Sequence, residues 1–328
     1  TPTPHPNPPP QGGREQEGNP HPQARREPEA FLGIDFLDPY RVMVIREELA
    51  KQETGWTVAD CQRLQLDQRS KPWEELRAVV LGLDSADADA RQGLELLRDW
   101  DGRVAADSAA ATVFELFVAE LCVRVAKAKA PRSWPDVLGG AGPDPAGLSL
   151  FGDRRVGHLA RLLREQPGGW FPRPWADELA DALATVVRLL RRKHGPGPAW
   201  WQWGDVRPLA IAHPVLGQHR LLGPAFNLPR VPHGGDQNTV NQAACRPLTP
   251  TVPASNIAGL RAVFDTADWA NCRFALAGGQ SGNPLSEHYA DLFELWVRGD
   301  GVPIPFTPEA VFRAARSTLR LTPDGAGK

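Results

Sequence analysis

The residues of this chain with chemical potential sit mostly in its last hundred positions, and each group suggests a different reaction. Gly279-Gln280-Ser281-Gly282-Asn283 approaches the G-x-S-x-G turn that exposes a nucleophilic serine. Its last position is Asn, however, and a proline follows where a helix should start, so Ser281 is expected to serve the turn. His233-Gly234-Gly235-Asp236 invites comparison with a phosphate-binding loop. It lacks the G-x-x-x-x-G-K-[ST] spacing and has no lysine, so a turn entering a strand is expected, with Asp236 and Asn238 bonding the turn backbone. The Trp200-Trp201-Gln202-Trp203 cluster offers a platform for an aromatic or acyl group, or packing for a core. His213, His219 and His233 lack the i, i+4 spacing of a helical metal site. Cys61, Cys122, Cys245 and Cys272 form no C-x-x-C pair and are expected as buried free thiols.

The elements that must position these groups follow from composition and periodicity. The chain has 328 residues, 41% of them hydrophobic, and a net charge of −2. That gives no electrostatic reason to expect a nucleic-acid partner, and no apolar run reaches the roughly 18 residues of a membrane span. Residues 1–30 are nearly all Pro, Gly, Gln, Arg, Glu, His and Asn, with little to bury, and are expected to be extended or disordered.

Residues 31–195 form a helical region on this reading. Asp38 and Pro39 open a first helix with Val42, Ile45 and Leu49 on its apolar face. Thr57 and Asp60 have capping-box spacing. Pro72 divides the next stretch, with Trp73, Leu76 and Val80 on one face. A further helix covers DADARQGLELLRDW. Asp107 or Ser108 starts a long helix through Phe114, Val118 and Leu121 that stops at Pro131. DRRVGHLARLLREQ and WADELADALATVVRLLRRKHG complete the region, the last ending at Gly195.

Residues 196–328 form a mixed region. Short runs such as WQWGDV, TVNQAA, LRAVFD and RFALA look β-like, Ser286 is placed to cap a helix through Trp296, Thr307-Pro308 opens a last helix, and TLRLT suggests a final strand. The fold class expected is α+β.

Several of these motifs, in this order, resemble the penicillin acylase (penicillin amidase) family. LDPYRVMVIREELA and QLDQRS resemble its arginine-bearing helical stretch, and LLRDWDGRVAADSAAATVFELF resembles the W-D-G turn before a long helix. GGDQNTVN and GGQSGNPLSEHYADLFELW complete the series. The resemblance runs from about residue 31 to 322. It implies the C-terminal portion of an Ntn-hydrolase (αββα) β chain, lacking the N-terminal serine.

The implied reaction is hydrolysis of the linear amide of N-acyl substrates, such as β-lactam side chains or acyl-homoserine lactones. A serine exposed by self-cleavage attacks, its own α-amino group takes the proton, and an asparagine side chain helps to hold the oxyanion. By resemblance, Arg41 orients that asparagine, and Asn19, twenty-two residues earlier, corresponds to it. Asp265 falls where some relatives place a carboxylate beside a catalytic histidine. Thr1 begins a Pro-alternating segment unsuited to the buried strand that carries the nucleophile.

The resemblance further implies a partner, the N-terminal part of the same precursor (α chain and start of the β chain), and a small N-acyl amide substrate. It implies calcium in the complete enzyme, with Glu29 near a ligand position, and a periplasmic or extracellular site. On this reading the chain alone is inactive; the alternative is a non-catalytic binding module built on the same fold. Strands LRAVFD and RFALA are expected to lack partners and to leave an edge or apolar face uncovered.

Overall fold

The computed structural model describes residues 37–138, 155–244, 254 and 256–321. Helices dominate the first part. They are α1 (Tyr40–Lys51), α2 (Val58–Gln65), α3 (Lys71–Leu81), α4 (Ala88–Arg98), α5 (Ala109–Lys129), α6 (Trp134–Val137), α7 (Arg155–Glu165) and α8 (Trp175–Lys193). Short helices α9 (Trp203–Val206) and α10 (Gly223–Phe226) follow. Then come β1 (Ala243–Ala244), β2 (Asn256–Ile257), β3 (Leu260–Val263), β4 (Arg273–Leu276), α11 (Phe293–Arg298), β5 (Val302–Pro303) and α12 (Pro308–Ala314). The expected α+β class holds.

Local chemistry explains the helix starts. Thr57 and Asp60 bond each other's backbone N–H groups in a complete capping box. Ser70, Asp87 and Ser108 cap α3, α4 and α5 through their side-chain oxygens. Asp38 accepts from the Gly157 N–H on α7 at 3.1 Å and so ties α1 to a distant helix. Helix α1 turns a different face inward from the one its periodicity suggested. Tyr40 and Val44, one helical turn apart, are buried, while Val42 and Leu49 are exposed. The reason is the Tyr40 ring, which packs into the helical core with its hydroxyl at Glu75 of α3.

That core runs from Tyr40 to Val206 and is built by α5 lying against α8, α4 and α7. At its centre Trp73, Trp100 and Phe114 meet with ring centroids 5.1–5.3 Å apart. Gly102, in the W-D-G turn, has φ +79°, and a Cβ there would come within 2.7 Å of the Trp73 ring. The turn therefore needs glycine to let Trp73 close on Trp100.

A second, smaller core contains Leu209, Ala243, Ala254, Ala275, Phe293 and Trp296. Over it lie a two-stranded sheet (β1–β2) and a three-stranded antiparallel sheet in the order β3-β4-β5. The register pairs Leu260 with Leu276, Arg261 with Ala275 and Ala262 with Phe274. LRAVFD and RFALA thus pair with each other, which corrects the expectation that they lack partners.

Four other local expectations are corrected. WQWGDV forms one helical turn at Trp203–Val206, just after a 3-10 turn at Pro198–Trp200, because the Trp201 and Trp203 indoles bond the Gly195 and Gly235 carbonyls. TVNQAA is extended only at Ala243–Ala244. The Ser286 segment is turns until α11 begins at Phe293, since the His288 carbonyl and Leu292 N–H bond Ser281 and Gly278. No strand forms at Thr318–Leu321 among the described residues, where Leu319 and Leu321 are each 84% exposed.

Candidate functional site

The His233–Gln242 loop is the place where the separate motifs converge. Its path is set by backbone bonds to the helical region. The Gly235 N–H donates to the Val104 carbonyl at 2.7 Å, and the Asn241 N–H donates to the Asp67 carbonyl at 2.9 Å. Gly235 has φ +86°, and a Cβ there would lie 1.9 Å from the Asn241 carbonyl oxygen, so no other residue fits. Asp236 then folds the loop on itself, with Oδ1 accepting from the Asn238 and Thr239 N–H groups at 2.9 and 2.7 Å. This is the turn chemistry the sequence suggested for Asp236, with Asn238 donating from its backbone.

Arg41 reaches this loop from α1. Its Nη1 donates to Gln242 Oε1 at 2.8 Å, joining residues 201 positions apart. The two motifs that the resemblance singled out at opposite ends of the chain are therefore in direct contact. QLDQRS lies at the same junction: the Gln65 amide donates to the Ala262 carbonyl, and the Val104 N–H donates to the Gln68 carbonyl.

Beneath the loop is a buried polar hub. Arg261, on β3, donates Nη2 to Asn241 Oδ1 at 2.6 Å and Nη1 to the Trp296 carbonyl, and its guanidinium lies 3.9 Å over the Trp296 ring. Burial pushes its pKa down to about 10, which still leaves a cation at neutral pH. His233 also stacks against Trp296, with centroids 5.3 Å apart. Burial, then the Arg261 charge, lowers the His233 pKa to about 4, so the imidazole is neutral.

Glu115 of α5 meets Asp236 from below, and the two carboxyl groups hydrogen-bond each other. Glu115 as a residue is half-buried, yet its carboxyl is enclosed by protein. Burial pushes both carboxyls up, Glu115 further because the Asp236 charge adds to it, while the Arg207 charge opposes the rise.

Other sequence candidates are placed elsewhere. Asp265 accepts from the Ala267 and Asp268 N–H groups and from the Asn271 amide, bonds that hold its carboxyl below the usual range. It shapes the β3–β4 connection. Ser281 Oγ accepts from the Asn283 N–H, as a turn residue does. Trp201 and Trp203 are buried in the helical core, whereas Trp200 is exposed. Cys61, Cys122 and Cys272 are free thiols. Asn19, Thr1, Glu29, Cys245 and the 1–30 segment lie outside the described residues. No group of three or more His, Cys, Asp or Glu among the described residues gathers to hold a metal.

Arg261, Gln242 and Glu115 were not singled out by sequence. The signals were present but faint. Arg261 has the opposite parity to Leu260 and Ala262 within a strand, and Glu115 interrupts the apolar run TVFELFV.

With this geometry in place, comparison with known proteins identifies the class. The penicillin amidase family model matches residues 6–313, and the chain belongs to that family. Among its relatives, the penicillin acylase 2 proenzyme of a Pseudomonas species is 28% identical over 300 residues, covering 89% of this chain and 36% of the proenzyme. The acyl-homoserine lactone acylase QuiP of Pseudomonas putida is 28% identical over 267 residues, covering 76% of this chain and 30% of that protein. The chain thus spans about a third of the length of the curated relatives it matches. The thermostable penicillin G acylase of Alcaligenes faecalis aligns in structure with a TM-score of 0.48 and 18% identity, covering 85% of this chain and 51% of that one.

Proposed function

We propose that this chain is the C-terminal portion of an amidohydrolase that cleaves the linear amide of N-acyl substrates, either β-lactam side chains or acyl-homoserine lactones. The family match over residues 6–313 carries this reading, and the names of the relatives supply the two substrate classes. The nucleophilic serine comes from a part of the precursor upstream of this chain. Its Oγ attacks the amide carbonyl while its α-amino group takes the hydroxyl proton. The proton passes to the leaving amine as the C–N bond breaks, and water then hydrolyses the acyl ester. An asparagine side chain and a backbone N–H hold the tetrahedral oxyanion.

Arg41 is a positioning residue in this scheme, and Asn19 is the asparagine it orients. The bond from Arg41 to Gln242 supports a positioning role by anchoring the guanidinium to the His233–Gln242 loop. The N-terminal part of the precursor is the partner this chain requires.

The test is hydrolysis of phenylacetyl and fatty-acyl anilides by the full precursor and by residues 1–328 alone. Turnover by the precursor and none by the isolated chain is expected; a precursor that binds these amides without hydrolysing them would show a non-catalytic module. In the precursor, Arg41→Ala should lower kcat by on the order of 10²-fold with little change in KM, and Arg41→Lys should recover part of the loss. Equal loss in both variants, with a fall in melting temperature, would assign Arg41 to structure alone.

A further inference from the structure

Two arginines of this protein face each other in a pairing that like charges disfavour. Arg69, in QLDQRS, and Arg103, next to the W-D-G turn, are opposite residues of an antiparallel bridge. The Val104 N–H donates to the Gln68 carbonyl at 2.8 Å, and the Ser70 N–H to the Gly102 carbonyl at 2.9 Å. These bonds flank Arg69 and Arg103 and make them a non-hydrogen-bonded pair, the kind whose side chains stand closest. Like charges directly opposite each other repel. Arg69 is partly answered: its Nη2 lies 2.7 Å from Glu48 Oε1 and its Nε 3.4 Å from Asp67 Oδ2. Glu47 Oε2, 3.6 Å from Nη1, belongs to a carboxylate shared with Lys71. The contacts at Nε and Nη2 lack hydrogen-bond alignment, so these two buried nitrogens keep their donors unspent. Arg103 is half-buried, and its side chain has no ion pair or hydrogen bond among the described residues.

Both arginines line one cleft of about 380 Å³, within the size range of small-molecule pockets. Neither Arg41 nor any residue of the His233–Gln242 loop lines it. Its other cations are committed, Lys51 to Glu48 at 2.5 Å and Arg63 to Asp60. Four cations against three carboxylates leave one positive charge in the walls, and Arg103 holds it. Trp56 and Leu64, both half-buried, supply an apolar wall. The Trp56 indole N–H is spent on the Gln52 carbonyl at 2.7 Å, so the ring offers only its apolar surface. The backbone of Arg103 is fixed. Its N–H donates to Asp101 Oδ1 and its carbonyl accepts from the Trp100 indole, both at 2.9 Å.

We propose that this cleft binds a small organic monocarboxylate with an aryl or alkyl tail. The carboxylate takes the fork of Arg103 beside Arg69, where it relieves the repulsion between the two guanidinium groups. The tail lies along Trp56 and Leu64. The single excess charge selects a monoanion over a phosphate dianion, which would meet Glu48, Asp60 and Asp67 with one charge uncompensated. The site is separate from the amide chemistry proposed above and does not depend on it.

Calorimetric titration of residues 1–328 with 3-phenylpropionate, at neutral pH and low salt, tests the site. One site with Kd below about 1 mM is expected. The neutral 3-phenylpropionamide and inorganic phosphate should each bind more than about tenfold more weakly. Arg103→Gln should weaken binding of the acid by more than about tenfold and should melt no lower than the parent, because it removes one of two opposed charges. Trp56→Ala should weaken binding about threefold or more. The acid should raise the melting temperature of the parent and not that of Arg103→Gln.

Weaker binding of the acid than this overturns the proposal, and so does binding that either substitution leaves unchanged. An amide that binds as tightly as the acid would remove the carboxylate from the recognition. Phosphate that binds as tightly would remove the tail, and either result sinks the site as stated. A lower melting temperature for Arg103→Gln would show that Arg103 serves the fold, and would overturn it as well.

Discussion

The two cores of this protein are held together by different means. The core from Tyr40 to Val206 is closed by its own helices: capped starts, aromatic rings in mutual contact and apolar stripes that face one another. The core from Leu209 to Trp296 has few large apolar groups of its own. It depends on a buried arginine, on a loop that must contain Gly235, and on carbonyls lent by Asp67 and Val104 of the other region. Hydrophobic burial is non-directional and tolerates adjustment, whereas buried hydrogen bonds fail when one partner goes. The second region should therefore be the more brittle, and the dependence should run one way.

The largest test is Phe114→Ala, which removes the ring between Trp73 and Trp100. It should cost about 3–5 kcal/mol of global stability, read as a shift in the urea midpoint, and should lower protection in both regions. Arg261→Ala should cost about 2–4 kcal/mol by stranding Asn241 Oδ1 and the Trp296 carbonyl. Hydrogen exchange should then rise across residues 209–296 while α5 and α8 keep their protection; equal loss in both would refute the one-way dependence. Gly235→Ala should cost about 1–3 kcal/mol from its left-handed backbone alone, with the contact to the Asn241 carbonyl adding to it, and should open the same residues.

The smallest effect is in the pH profile. Glu115 has a raised pKa in the fold, so the folded state holds a proton that the unfolded state releases above about 4.5. Stability from this group is full below that value and is lost as pH rises towards the folded pKa. His233 has the opposite sense. Its folded pKa is lowered to about 4, so its contribution is full above about 6.5 and is lost as pH falls. Glu115→Gln should flatten the alkaline limb of a stability-against-pH curve and leave the acid limb in place. A change in both limbs would show that the two groups titrate together.

The same contrast decides what could be read from the sequence. Thr57 with Asp60, Ser108 and the stripe through Phe114, Val118 and Leu121 were legible because their causes lie within a few residues. The Ser286 segment was not, because its N–H and carbonyl groups are spent on Gly278 and Ser281, and the Tyr289 hydroxyl on Phe226. The tryptophans at 201 and 203 alternate as a strand would, yet their indoles bond carbonyls that periodicity does not report. At the candidate site, Arg41 was marked by family resemblance, and Asp236 by its turn. Gln242, Arg261 and Glu115 matter only through neighbours far away in the chain.

The bond between Arg41 and Gln242 spans 201 positions, and the contacts of Asn241 with Asp67 and of Gly235 with Val104 span 174 and 131. Loops of that size must close before such contacts return anything, so they set the order of events as the chain folds. The helices around α5 can assemble from neighbours as they are made. The His233–Gln242 loop has nowhere to dock until Asp67 and Val104 are in place. The junction at Arg41 is thus among the last parts of the molecule to form, and the first that an incompletely folded chain would lack.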